Sequence, residues 1–190
     1  MDISNSLKSL APQSNLWVFG YGSLMWNPEF EYERSSIARI YGFHRRLCLW
    51  SVRYRGTDKN PGLVVGMASG GSCLGMIFKV PDANIESTLE YLHEREMISD
   101  AYRPLIKPVH LSSGEVYNAL TFVSKPKHPQ FAPKMSIKTI TDITSRAIGP
   151  RGPNSEYIIN TARHLDSIGI FNTEIHQVAT QLEIADKNST

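Results

Sequence analysis

Residues Leu16–Leu24 read LWVFGYGSL, a short apolar run broken by two closely spaced glycines. Leu16, Trp17, Val18 and Phe19 include one β-branched and two aromatic residues, which is the composition of a strand buried on both faces. Gly20-Tyr21-Gly22-Ser23 ends that strand. With no Cβ at positions 20 and 22, the backbone can turn sharply and present its N–H groups to an approaching ligand. Successive N–H donors aimed into one concavity form an anion site. A tight turn after a core strand is the plainer reading of the same four residues.

About seventy residues downstream the chain reads PDANIESTLEYLHEREM from Pro81. Pro81-Asp82 is a helix-start signal, with Asp82 or Asn84 as N-cap. At about 100° per residue, Ile85, Leu89 and Leu92 share one side of the helix, and Glu96 falls in the middle of that side. Glu90 and Glu94 point the other way, into water. A carboxylate therefore stands where a leucine is expected. Taken out of water it must find a partner or shift its pKa upward. Two bland readings are a buried ion pair with an arginine and a helix end that tilts Glu96 into solvent. The chemical reading is a general base poised to move a proton near neutral pH.

The totals place limits on these readings. At 190 residues, with 41% hydrophobic and 20% charged residues, the chain has the composition of one globular domain. A net charge of +2 gives no argument for nucleic acid or an anionic membrane as partner. No long apolar run marks a membrane span, and the first residues lack the apolar segment of a secretory signal, so a cytoplasmic protein is expected. Cys48 and Cys73 read as reduced core residues. The six histidines lack metal-site spacing and no CxxC occurs, so no metal is expected.

Taken in order, residues 1–15 read as a loose polar arm and 185–190 as a polar tail, with a single domain over 16–184. Strands are predicted at Leu16–Phe19, Ile37–Phe43, Arg46–Val52, Leu63–Ala68, Cys73–Val80, Pro104–Leu111 and Glu115–Val123. Ser69-Gly70-Gly71-Ser72 is read as a hairpin turn, and Val116, Leu120 and Phe122 as one strand face. Arg53–Gly62 is a basic loop, either functional or a surface connection. Ser124–Pro133 is a proline-rich linker. Helices are predicted around Ile137–Ala147, from an Asn154 cap to Gly169, and over Asn172–Ile184. Sequential hairpins around one helix, followed by helices, predict an α+β fold: a small mixed or antiparallel β-barrel with flanking helices. The barrel mouth gathers loop ends, where ligand pockets form.

VFGYGSL, then RGT with PG shortly after, then YLHEREM, then GPRGPNSEY, in this order, resemble the ChaC family of glutathione-specific γ-glutamylcyclotransferases. SLMWNP, HPQF and the Arg-Glu-Met after the helix are most similar to its bacterial branch. The resemblance spans roughly residues 16 to 172. It implies a small β-barrel of the γ-glutamylcyclotransferase type and conversion of glutathione to 5-oxoproline and cysteinylglycine without metal or organic cofactor. It also implies that Glu96 is the catalytic residue, that Phe19, Gly20, Tyr21, Gly22, Ser23 and Leu24 form the substrate-binding motif, and that Tyr157 lines the site. One local departure is His93-Glu94, where relatives often carry an aromatic or apolar residue.

The chemistry so implied suits the residues. The γ-glutamyl α-amine must attack its own γ-carbonyl, and as an ammonium it has no lone pair. Glu96 can accept that proton and return one to the departing cysteinyl nitrogen, which asks for a pKa near the operating pH. Amides of Tyr21, Gly22, Ser23 or Leu24 could hold either the α-carboxylate or the developing oxyanion. Ser23 lacks the elbow motif of a hydrolase nucleophile. Tyr157 is read alternatively as an aromatic anchor, Arg53 and Arg55 as contacts to the glycyl carboxylate or as solvated charges, and Phe19 as a wall. Two other functions fit the same residues: cyclotransfer on other γ-glutamyl amino acids or amines, and a non-enzymatic regulatory module.

Overall fold

The computed structural model describes residues 4–187. The elements in chain order are α1 (Ser4–Leu10), β1 (Trp17–Gly20), β2 (Arg34–Ser51), β3 (Gly62–Lys79), α2 (Ile85–Glu96), β4 (Tyr102–Leu111), β5 (Val116–Ser124), α3 (Ile137–Arg146), β6 (Ile148–Gly149), β7 (Gly152–Pro153), α4 (Asn154–Ser167) and α5 (Thr173–Lys187). Among the described residues, no helix is long and apolar enough to cross a membrane. The chain divides into two compact units where the sequence is read as one domain. One unit holds the described residues up to His44 with Met67–His128, and the other holds Arg45–Gly66 with the described residues from Pro129 onward. Two of the three crossings fall inside β2 and β3, so no linker composition marks them.

In the first unit the strands close a barrel in the order β1-β3-β2-β4-β5. Trp17 stands opposite Lys79 and Gly20 opposite Met76 in an antiparallel pairing, and Val18 pairs in parallel with Leu120. β4 and β5 form the expected hairpin, closed by the Ser112-Ser113-Gly114 turn with Gly114 at φ +92°. The result is the mixed barrel with flanking helices that the alternation of apolar runs predicts.

Seven predicted strands become five because two pairs fuse. Ile37–Phe43 and Arg46–Val52 are one strand, β2, and Leu63–Ala68 and Cys73–Val80 are one strand, β3. The Ser69–Ser72 hairpin is absent. Gly70 and Gly71 have φ of +95° and +70° inside continuous β3. Left-handed glycines kink a strand as readily as they reverse it, and the sequence signal is the same for both. Val116 is also corrected: it is 51% exposed, whereas Leu120 and Phe122 are buried.

Residues 1–15 are not simply a loose arm, since Ser4–Leu10 is helical and Leu7 is fully buried. Leu7 joins Leu16, Val18, Ile85, Leu89 and Leu92 in one apolar cluster. Lys8 lies 2.7 Å from Glu86 and 3.0 Å from Glu90. One buried leucine among polar residues leaves no periodic pattern to read.

In the second unit α3, α4 and α5 bury Ile140, Ile158, Leu165, Ile175, Val178 and Leu182. Asn154, expected as a cap, starts α4 but is fully buried and does different work. Its Oδ1 accepts from Leu63 N at 2.7 Å, and its Nδ2 donates to Leu63 O at 2.8 Å. A side-chain amide can imitate a neighbouring strand in this way because it carries both a donor and an acceptor.

Leu7→Ala is expected to lower the stability of the folded protein by about 2–4 kcal/mol, the range for deleting a buried leucine side chain. Urea unfolding of the full chain checks this, and a loss below about 1 kcal/mol would mean that α1 contributes little to the core.

Candidate active site

The bend after β1 begins at Gly20, immediately after fully buried Phe19. Neither Gly20 nor Gly22 has a positive φ. Gly20 is needed for close approach instead. A Cβ there would stand 2.9 Å from Leu24 Cβ, because Ser23–Met25 coils into a short 3-10 turn against it. Met25 N donates to Gly22 O at 2.9 Å and Asn27 N to Ser23 O at 2.9 Å. Among the described residues, the amides of Gly22, Ser23 and Leu24 donate to no acceptor. Three N–H groups in succession are thus available to a negatively charged group. Tyr21 and Leu24 are buried at the edges of the bend.

Glu96 is the last residue of α2, on the same stripe as buried Ile85, Leu89 and Leu92. Its side chain is 14% exposed, so the helix end does not tilt it into solvent. Glu90, on the opposite side, is 57% exposed. Burial pushes the Glu96 carboxyl up from the ordinary 4.5 to about 7, while the charge and hydrogen bond of Arg95 oppose that rise. Desolvation wins because, among the described residues, one cation faces the carboxylate, at 3.3 Å through its Nε. One turn earlier, His93 Nδ1 is buried without a hydrogen-bond partner among the described residues.

Arg95 ties these two parts together. Its Nη2 donates to Ser23 Oγ at 2.9 Å, and its Nε lies 3.3 Å from Glu96 Oε1. Its Nη1 donates to Asn27 O at 2.7 Å and to the Tyr91 hydroxyl, and lies 3.6 Å from Glu29 Oε2. The glycine bend and Glu96 therefore share one guanidinium. In the amino-acid order Arg95 is legible only as part of a motif, and Asn27, Glu29 and Tyr91 are not marked as its partners. Tyr91 and Arg95 at i and i+4 are a visible helix pair. The backbone oxygen of Asn27 and the left-handed Glu29 (φ +57°) carry no such signal.

Tyr157 lies in the second unit. Its hydroxyl accepts from Val65 N at 3.2 Å, and the Arg55 guanidinium stands 5.6 Å from its ring centre. This is the contact of an anchor, the alternative reading of that residue. Arg55 donates to Pro153 O at 3.2 Å, and Arg53 is exposed. Cys48 and Cys73 are buried free thiols. Among the described residues, no group of three or more His, Cys, Asp or Glu side chains is placed to hold a metal ion.

The family model described as ChaC-like protein matches residues 16–186. The chain is 34% identical over 155 residues to the glutathione-specific gamma-glutamylcyclotransferase of Escherichia coli, covering 82% of this chain and 67% of that protein. It is 31% identical over 197 residues to the protein of the same name from Schizosaccharomyces pombe, covering 94% and 96%. Among solved structures, a gamma-glutamyl cyclotransferase specific to glutathione from yeast superposes with a TM-score of 0.79 at 22% identity, over 92% of this chain and 96% of that one. This last likeness shows the shared fold.

Glu96 couples stability to pH. Its folded pKa is raised, so its contribution is complete below about 4.5 and is lost as pH rises through about 7. Against Glu96→Gln, the wild type is expected to lose on the order of 3 kcal/mol between those limits. Urea midpoints of both proteins at matched pH check this, and parallel curves would overturn the buried-acid assignment.

Proposed function

We propose that this chain, which belongs to the ChaC-like family, closes the γ-glutamyl moiety of glutathione into 5-oxoproline and releases cysteinylglycine. The observation that carries the reading is Glu96, a largely buried carboxyl with a pKa of about 7, held by the same guanidinium that grips the glycine bend.

Glutathione's α-amine is an ammonium near neutral pH and cannot attack. Ionised Glu96 removes one proton, and the freed lone pair adds to the γ-carbonyl carbon to close a five-membered ring. The carbonyl oxygen gains negative charge in the tetrahedral intermediate. Glu96, now protonated, gives its proton to the cysteinyl nitrogen as the C–N bond breaks. It then takes the second proton from the ring nitrogen to leave the neutral lactam and passes it to the freed cysteinyl amine, which departs as an ammonium. Atoms and charge balance, and the carboxylate is regenerated. Because nucleophile and electrophile belong to one molecule, the protein contributes chiefly by holding the closing conformer and supplying the proton path. The amides of Gly22, Ser23 and Leu24 serve either the α-carboxylate or the oxyanion. Phe19, fully buried just before the bend, is assigned as its wall, and Tyr157 anchors Val65 within the second unit. The buried thiols fit a reducing cytoplasm, where glutathione is the abundant thiol.

Purified protein incubated with glutathione without added metal is expected to release 5-oxoproline and cysteinylglycine in equal amounts. Glu96→Gln is expected to lower kcat by about 10²–10⁴-fold, the usual contribution of a general acid/base. The wild-type rate should fall off as pH drops below about 7. Equal rates for mutant and wild type would remove Glu96 as the base, and faster turnover of γ-glutamyl-alanine than of glutathione would overturn the substrate.

A further inference from the structure

We infer that Arg95 is a positioning residue that holds the glycine bend and the Glu96 carboxylate in one frame, leaving one carboxylate oxygen for the substrate's ammonium. This inference rests on Glu96 as the proposed base.

All three guanidinium nitrogens of Arg95 are engaged within the first unit. Nη2 bonds the hydroxyl of Ser23 inside the bend. Nη1 bonds the Asn27 carbonyl beyond the bend and the Tyr91 hydroxyl one turn back on α2. Nε is left for Glu96 and lies 3.3 Å from Oε1. Among the described residues, Glu96 Oε2 accepts no hydrogen bond. A bidentate fork on Glu96 would occupy both oxygens and favour the ionised state strongly. A one-point contact fixes the carboxylate's direction while leaving it able to take a proton.

The charge on Arg95 is also divided. Glu29 Oε2 lies 3.6 Å from Nη1, on the edge away from Glu96. Glu29 is 55% exposed and Arg95 18%, so the pair contributes little to stability by itself. Its effect is to turn the guanidinium. Lysine would keep the charge, but its one nitrogen cannot reach Ser23 Oγ, Asn27 O and Glu96 Oε1 in this geometry.

The test is steady-state 5-oxoproline release by the full chain as wild type, Arg95→Lys, Arg95→Ala and Glu96→Gln, with a thermal melt of each. Arg95→Lys is expected to lower kcat by about 10²-fold, the cost of a misplacement near 1 Å, while the acid limb of its pH profile stays in place because the charge is kept. Arg95→Ala is expected to lose a similar factor and to move that limb to higher pH, because Glu96 loses its facing cation. Millimolar guanidinium chloride should restore part of the alanine variant's rate, and ammonium chloride at equal concentration should not. Wild-type kcat in Arg95→Lys would overturn the role, as would losses that follow the unfolded fraction and ignore guanidinium. If Glu96→Gln is inactive while Arg95→Lys is fully active, the proposed function stands and this inference falls. If the wild type makes no 5-oxoproline, both fall.

Discussion

A carboxylate held largely out of water is the constraint on which this site depends. Three leucine or isoleucine side chains precede Glu96 on its stripe of α2, and the same stripe packs into the apolar cluster of the first unit. Hydrophobic packing of the helix therefore carries the acid inward with it. Desolvation then does electrostatic work by raising the proton affinity of Glu96 to about 7. Arg95 opposes that shift and limits it. A single cation at 3.3 Å, with its charge shared by Glu29, leaves the group close to neutrality's pH.

The barrel gives this acid its surroundings. β1 is short and buried throughout, and its antiparallel pairing with β3 ends at Gly20 opposite Met76. The chain must leave the sheet at that point, and the 3-10 turn packed on Gly20 brings Ser23 to Arg95. Had position 20 carried a side chain, Leu24 would be displaced and the amides of Gly22, Ser23 and Leu24 with it. Backbone packing and proton chemistry thus meet at one glycine, although that glycine is not in a left-handed conformation.

Two elements show how far local pattern carries and where it stops. The alternation of apolar runs locates every barrel strand but divides two of them, because Gly70 and Gly71 give the same local signal for a kink as for a reversal. Asn154 lies at a helix start, where a cap is expected, yet its amide faces Leu63. In both cases the residue's capability is legible, and the partner that uses it is distant in the chain.

Glu96 and the LWVFGYGSL bend are legible in the amino-acid order. Helical spacing alone sets the acid among leucines, and glycine spacing alone breaks the strand. Local periodicity depends only on neighbours in the chain, so one sequence determines it. Tertiary packing alone brings Ser23, Asn27 and Glu29 onto the guanidinium of Arg95. It also decides that desolvation exceeds ion pairing at Glu96, because dielectric surroundings belong to the packed fold and not to the order of residues.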